Sequence, residues 1–246
     1  MDKQIEEARG LLRAARKVLV FTGAGISTGS GIPDYRGTDG VWTKREPVLY
    51  RDFLDSTKAK QDYWRYKAET FPAFKAAVPN SAHAALVSLE KSGRLLALVT
   101  QNIDNLHRAA GTGTDRLVEL HGSGLYAECL DCLSWTSMEE ALAAFNKDGA
   151  PPLCSCGGWL KPAVIMFGQP LESESLLKAF AAADQCDLAV SVGSSLSVEP
   201  AASVPMRAKA AGKPYLIVNR GPTAHDGCAD LKLDGDACEI LPLLLA

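Results

Sequence analysis

A cluster of polar side chains directly follows an apolar run. Leu95-Leu-Ala-Leu-Val-Thr100 leads into Gln101, Asn102, Ile103, Asp104 and Asn105. An amide or carboxylate at the end of a buried strand is costly without a partner or a ligand. A helix cap by Asp104 or Asn105 would account for one of these residues. It would leave Gln101, Asn102 and Asp104 together unexplained. Downstream, His121-Gly122 ends a second apolar run, Leu117-Val-Glu-Leu120. An imidazole there, with an amide and carboxylate cluster upstream, is a candidate general base.

A second constellation lies near the N-terminus. Val18 to Phe21 is an apolar run that breaks into Gly23-Ala-Gly-Ile-Ser-Thr28 and then Pro33-Asp-Tyr-Arg36. Glycines at such a turn let backbone N–H groups approach a phosphate, and Arg36 offers a fixed cation for a diphosphate. The turn departs from the G-x-G-x-x-G spacing of dehydrogenases, because Thr28 stands at its last position. Those enzymes also need an acid at the end of a second strand. Glu46 has the distance but no strand before it. A plain strand-to-helix turn without a ligand would fit the glycines equally well.

The third constellation is sulfur. Cys129-Leu-Asp-Cys132 and Cys154-Ser-Cys156 are two close pairs among seven cysteines. Four thiolates would make a closed tetrahedral zinc site, with Gly157-Gly158 providing a sharp turn. The alternative is four reduced thiols without metal. Cys186, Cys228 and Cys238 are scattered and read as core thiols.

These residues need elements to hold them. Hydrophobic periodicity predicts helices over 3–16, 81–91, 171–184, 200–211 and 236–245, with Ser81 capping the second. Short apolar runs at 18–21, 95–100, 187–193 and 215–219 read as buried parallel strands, with a further strand over 163–167. Residues 38–78 read as short helices and mobile loop. Strands alternating with helices imply a doubly wound parallel sheet, an α/β fold whose ligands sit at the carboxyl ends of the strands. Those ends carry Gly23/Ala24, Gln101/Asn102, Gly193/Ser194 and Asn219/Arg220, which should converge on one cleft. The chain has 246 residues and a net charge of -3, so the overall charge gives no electrostatic case for nucleic acid. No apolar stretch approaches a membrane span. The acidic start lacks a signal peptide's apolar segment, so a cytoplasmic location is expected.

Taken in order, G-A-G-I-S, G-I-P-D-Y-R-G, T-Q-N-I-D-N-L-H, H-G, the cysteine pairs, F-G, G-S-S-L-S-V-E-P and V-N make the chain resemble the sirtuin family of NAD-dependent protein deacylases. The resemblance runs from about residue 10 to the C-terminus. It implies one catalytic domain over 1–246. A Rossmann-like part would cover about 1–33, 79–124 and 162–246, a helical module with the cofactor loop about 34–78, and a small zinc-binding subdomain about 125–161.

By the same resemblance, Gly23, Ala24, Gly25, Ser27 and Thr28 would cradle the NAD diphosphate. Asp34, Tyr35 and Arg36 would belong to a loop over the cofactor, with Tyr35 where the family usually has Phe. Gln101, Asn102, Ile103 and Asp104 would form the nicotinamide-ribose pocket, Asn102 sharing the catalytic role with His121, the general base. Gly193, Ser194 and Ser195 would meet cofactor phosphates and ribose, Asn219 the adenosine ribose, and Ala237 and Cys238 the adenine. An acylated-lysine protein would bind as an extended peptide between Val164, Ile165, Phe167 and Gly168 on one side and Ser197 and Val198 on the other. Where the family's second cysteine pair usually has two intervening residues, Cys154 and Cys156 have one, and Gln169 stands where Glu is more usual. The resemblance implies lysine deacetylation with release of nicotinamide and O-acyl-ADP-ribose, and one structural zinc. Mono-ADP-ribosyl transfer to protein would use the same motifs. Succinyl-lysine is disfavoured, because Tyr63 is followed at the third position by Tyr66 and not by Arg. Trp64 and Tyr66 read as core residues.

Overall fold

The computed structural model describes residues 2–35, 40–41 and 46–245. Its centre is a six-stranded parallel sheet. In chain order the strands are β1 (Val18–Thr22), β2 (Leu95–Thr100) and β3 (Leu117–Glu119), then β7 (Leu188–Val192), β8 (Tyr215–Asn219) and β9 (Leu231–Asp234). They lie side by side as β3-β2-β1-β7-β8-β9. The order reverses between β1 and β7, and there the two strands pair from Val18↔Leu188 to Thr22↔Val192.

Every residue of β1 is buried. Its alternating side chains feed two different cores. Val18 and Val20 join one with Ile5, Leu12, Leu86 and Leu241. Leu19 and Phe21 join the other with Ala183, Val204 and Ile217. Helices α1 (Asp2–Ala14), α4 (Ser81–Lys91) and α9 (Ala237–Leu245) therefore cover one face, and α7 (Ser173–Gln185) with α8 (Ser203–Ala210) the other. A strand buried on both faces must read as unbroken apolar sequence, and each such side chain contributes about 1.5–3 kcal/mol.

A second sheet is antiparallel, with β5 (Trp135–Ser137), β4 (Gly122–Cys129) and β6 (Leu160–Val164) in the order β5-β4-β6. Helices α2 (Tyr50–Asp55), α3 (Thr57–Ala76) and α6 (Met138–Asp148) pack on it through Phe53, Trp64, Phe71, Met138 and Phe145. The small helix α5 (Leu106–Ala110) follows the Gln101–Asn105 turn. No helix among the described residues is long and apolar enough to cross a membrane.

Several boundaries differ from the sequence reading. Asn80, not Ser81, caps α4, its side chain accepting from the N–H groups of Ala82 and His83. Ser81 Oγ instead donates to the Cys238 carbonyl at 2.7 Å. The strand expected over 163–167 runs from Leu160 to Val164, so Ile165 to Phe167 leave the sheet. The helix expected from residue 200 begins at Ser203, after a turn.

Candidate active site

The carboxyl ends of β1, β2, β7 and β8 open into one cleft of about 1170 Å³. Gly23, Ala24, Gly25, Thr28, Gln101, Asn102, Ile103, His121, Gly193, Ser194, Ser195, Asn219 and Ala237 line it. Asp34 and Tyr35 form part of its wall, as do Val164, Ile165, Phe167, Gly168 and Val198. Four residues expected at the site do not line the cleft: Ser27, Asp104, Ser197 and Cys238. Arg36 lies outside the described residues.

The glycine turn is built differently from the expectation. Gly23 N–H donates to Val192 O at 3.0 Å and Gly25 N–H to Gly193 O at 2.8 Å. These two N–H groups are spent within the protein. A Cβ on Gly25 would lie 2.8 Å from both Cα and O of Gly193, and one on Gly23 would lie 2.8 Å from Gly193 O. The glycines let two loop backbones touch at the point where the strand order reverses.

Asp104 explains Ser27. One Asp104 carboxylate oxygen accepts the Ser27 hydroxyl at 2.6 Å, and the other accepts the Leu106 N–H at 2.9 Å. Asp104 therefore holds the first N–H of α5 and buckles two loops together. Burial pushes its pKa up, against the pull of the Ser27 and Leu106 bonds. Asn102 completes the buckle: its Nδ2 donates to Gly23 O and to Ser27 Oγ, each at 3.2 Å.

Gln101 donates through Nε2 to Ser194 Oγ at 2.9 Å, tying β2 to β7. Its carbonyl faces His121 Nδ1 at 2.9 Å. Since a carbonyl only accepts, Nδ1 carries the proton, and Nε2 is left with its lone pair. Burial lowers the His121 pKa below the ordinary histidine value, opposed by the Gln101 bond. Ile165 N–H bonds the His121 carbonyl at 2.9 Å, so the segment after β6 is fixed beside His121.

The remaining site residues support others. Ser197 Oγ pairs with Ser195 Oγ at 2.9 Å. Cys238 Sγ packs against Gly29, where a Cβ would come within 2.5 Å of it. Asn219 Nδ2 donates to the carbonyls of Arg220 and Gly221 at 3.0 and 3.1 Å, shaping the turn after β8.

One wall of the cleft departs from the sequence reading, which takes Tyr66 as core and gives Lys67 no role. Tyr63, Tyr66 and Lys67 line it from α3. Their spacing of three and four residues on a helix was the available signal. Trp64 is a core residue as expected, its Nε1 donating to Leu160 O at 3.2 Å, but Tyr66 is not. Arg65 turns away and bonds Asp62 at 2.9 Å. Lys67 Nζ lies 5.6 Å from the Tyr63 ring centroid, and burial lowers its pKa to about 8.

At the far end of β4 the four cysteines gather. The Sγ atoms of Cys129, Cys132, Cys154 and Cys156 all lie within 4.8 Å of one another. The pairs Cys129–Cys156 and Cys132–Cys154 are 3.5 and 3.7 Å apart. A tetrahedral zinc with bonds of about 2.3 Å requires sulfur spacings of roughly 3.8 Å. Asp131 and Cys132 N–H groups point at Cys129 Sγ at 3.4 and 3.5 Å. Gly157 at φ +92° makes the turn that lets a pair with a single intervening residue supply two ligands. The thiols are free of disulfides. The site fits zinc.

A Sir2 family model matches residues 23–200. The chain is 41% identical to an NAD-dependent protein deacetylase 1 of Bradyrhizobium diazoefficiens, over 96% of this chain and 93% of that protein. It is also 41% identical to an NAD-dependent protein deacylase 2 of Archaeoglobus fulgidus, over 100% of this chain and 96% of the relative. A solved Sir2 enzyme structure superposes with a TM-score of 0.89 at 42% identity, covering 100% of this chain and 97% of that one. A Sir2 complex with a p53 peptide and NAD+ gives 0.87 at 34% identity, covering 97% and 95%.

Proposed function

The chain belongs to the Sir2 family, and from that premise we propose that it removes acetyl groups from lysine side chains of proteins, consuming NAD and releasing nicotinamide and O-acyl-ADP-ribose. The observation that carries this reading is the placement of His121. Its protonated Nδ1 is pinned on Gln101 O, in the same cleft as the glycine turn and the Val164–Gly168 segment.

In this reading the NAD diphosphate rests on the turn from Gly23 to Thr28. Gln101, Asn102 and Ile103 take the nicotinamide-ribose end, with Ser27 and Asp104 holding them from behind. Asn219 and Ala237 face the adenosine end, with Cys238 packed behind them against Gly29. The acyl carbonyl oxygen displaces nicotinamide from the ribose carbon. His121 Nε2 accepts a proton from the ribose hydroxyls, which frees a ribose oxygen to attack the resulting imidate carbon. Water completes release of the lysine amine and O-acyl-ADP-ribose. The peptide adds as a strand between Val164–Gly168 and Ser197–Val198, a mode that reads mainly backbone. Zinc, when bound to the four cysteines, has no free coordination position and contributes structure, not catalysis. A cytoplasmic location accords with seven free cysteines, four of them in a metal site.

The test is to incubate the purified protein with NAD and an acetyl-lysine peptide and to follow nicotinamide and peptide mass. One nicotinamide per acetyl group removed is expected. Nicotinamide release with a peptide that gains an ADP-ribosyl group, or no release at all, would overturn the reading.

A further inference from the structure

Behind the Gln101–Asn105 turn, three buried polar atoms lack a hydrogen-bond partner among the described residues: His83 Nε2, His107 Nδ1 and Thr112 Oγ1. All three residues are almost wholly enclosed, at 0%, 2% and 4% exposure. They are also neighbours. The two imidazole rings lie 4.9 Å apart, centre to centre, at 57°. Thr112 N–H bonds the His107 carbonyl at 3.1 Å, which folds Thr112 back onto that residue. Isolated orphans are rare in native proteins, and three beside one another point to a shared partner.

The other nitrogen of each ring is already engaged. His107 Nε2 faces Thr22 Oγ1 at 2.9 Å, and the Thr22 hydroxyl donates onward to Thr100 Oγ1 at 2.8 Å. Thr22 therefore accepts from His107, so Nε2 carries the proton and Nδ1 presents a lone pair. His83 Nδ1 accepts the Asn80 backbone N–H at 3.3 Å. Asn80 Oδ1 also stands 3.0 Å away, but it is occupied by the N–H groups of Ala82 and His83. His83 Nε2 therefore carries a proton. One donor, one acceptor and one hydroxyl are left unpaired on three neighbouring buried residues. A cation is repelled by the N–H and an anion by the lone pair, whereas a molecule that both donates and accepts meets all three. Flipping either ring would leave Thr22 or Asn80 facing carbon.

We propose that one water molecule is built into the fold between His83 Nε2, His107 Nδ1 and Thr112 Oγ1, closing a hydrogen-bonded chain from Asn80 to Asn102. Both ends of this chain reach the active site. Asn80 Nδ2 donates to Ile26 O at 2.8 Å and to Ser30 Oγ at 3.0 Å, holding the glycine turn. Thr100 Oγ1 accepts the Asn102 N–H at 3.0 Å. His83, His107 and Thr112 are thus positioning residues for two loops. Burial lowers the pKa of His83 to about 4 and, with a smaller push from His83, that of His107 to about 3, so both rings are neutral, as an uncharged ligand requires.

A crystal structure of the wild-type protein at a resolution that shows ordered water tests the site without reference to activity. A fully occupied water within about 3.2 Å of all three atoms is expected. Empty density there, or an anomalous signal from a metal, would overturn it. The positioning role rests on the deacetylase reading and is tested by Thr112→Val, which removes the hydroxyl at constant shape, against Thr112→Ser, which keeps it. A roughly three- to tenfold loss of kcat in the first, with KM for peptide unchanged and kcat restored in the second, is expected. Equal kcat in wild type and Thr112→Val would overturn the positioning role. Absence of deacetylation in the wild type itself would strike the functional reading and leave the water site standing.

Discussion

The Nδ1 atom of His121 lies 2.9 Å from the carbonyl oxygen of Gln101. This one bond selects the tautomer of the proposed base, because the carbonyl has nothing to donate.

A pH profile follows from it. Burial lowers the His121 pKa, and the Gln101 bond only partly offsets this. The ring is neutral, and competent as a base, above that lowered value. The acid limb of kcat/KM is therefore expected below pH 6.5, the ordinary histidine range, with activity falling as pH drops through it. His121→Ala should lower kcat by about 10²- to 10⁴-fold with an unchanged circular dichroism spectrum. An acid limb above pH 7, or near-wild-type turnover in the folded variant, would remove His121 from the mechanism.

Asp104 and Ser27 are expected to act as one unit. Asp104→Ala breaks the bonds to Ser27 and to the Leu106 N–H and should destabilise the fold by roughly 1–3 kcal/mol. Ser27→Ala should cost less, and the double variant little more than Asp104→Ala alone. Urea unfolding of the three proteins measures this. KM for NAD should rise in all of them, since Asn102 Nδ2 loses its Ser27 partner or that partner's anchor. Additive destabilisation would show that the two side chains act separately.

The residues of the cleft were legible where the reason for their position was local. Parallel strands all end on one edge, so Gly23, Gln101, Gly193 and Asn219 had to meet there. Long-range reasons were not legible. Asn and Ser both cap helices well. What places Asn80 at the cap of α4 is its Nδ2 bond to Ile26, 54 residues away. The local pattern reads Gly23 and Gly25 as phosphate contacts, yet their backbone is shaped by Gly193, which no local pattern reveals. Strand β9, Leu-Lys-Leu-Asp, is a short polar edge without an apolar run. Lys67 depended on knowing which face of α3 meets the cleft.

Zinc should be tightly coupled to the small sheet and, through it, to catalysis. Strand β4 begins at Gly122, next to His121, and ends at Cys129, the first of the four clustered cysteines. Metal analysis is expected to find one zinc per chain, and Cys156→Ser to lose it. Chelation should lower the melting temperature and turnover together, both recovering when zinc is restored. A metal-free, well-folded wild type would refute the site.

Gly25 and Gly10 differ in what surrounds them. A Cβ on Gly25 would lie 2.8 Å from both Cα and O of Gly193, and backbone cannot swing aside as a side chain can. Gly25→Ala must push the turn after β1 away from the turn after β7, at about 1–3 kcal/mol. For a chain of this size that is roughly 3–10 °C in melting temperature. The displacement also reaches Ser194, whose hydroxyl holds Gln101, and hence the carbonyl that orients His121. NAD-dependent turnover should therefore fall more steeply than stability, while bound zinc stays constant. Gly10, inside α1, has nothing within 4 Å of a would-be Cβ. Gly10→Ala should raise stability by up to about 1 kcal/mol and leave turnover unchanged. Thermal melts and steady-state kinetics on the two variants decide the matter. A Gly25→Ala protein as stable and active as wild type would show that the close approach of the two turns is dispensable.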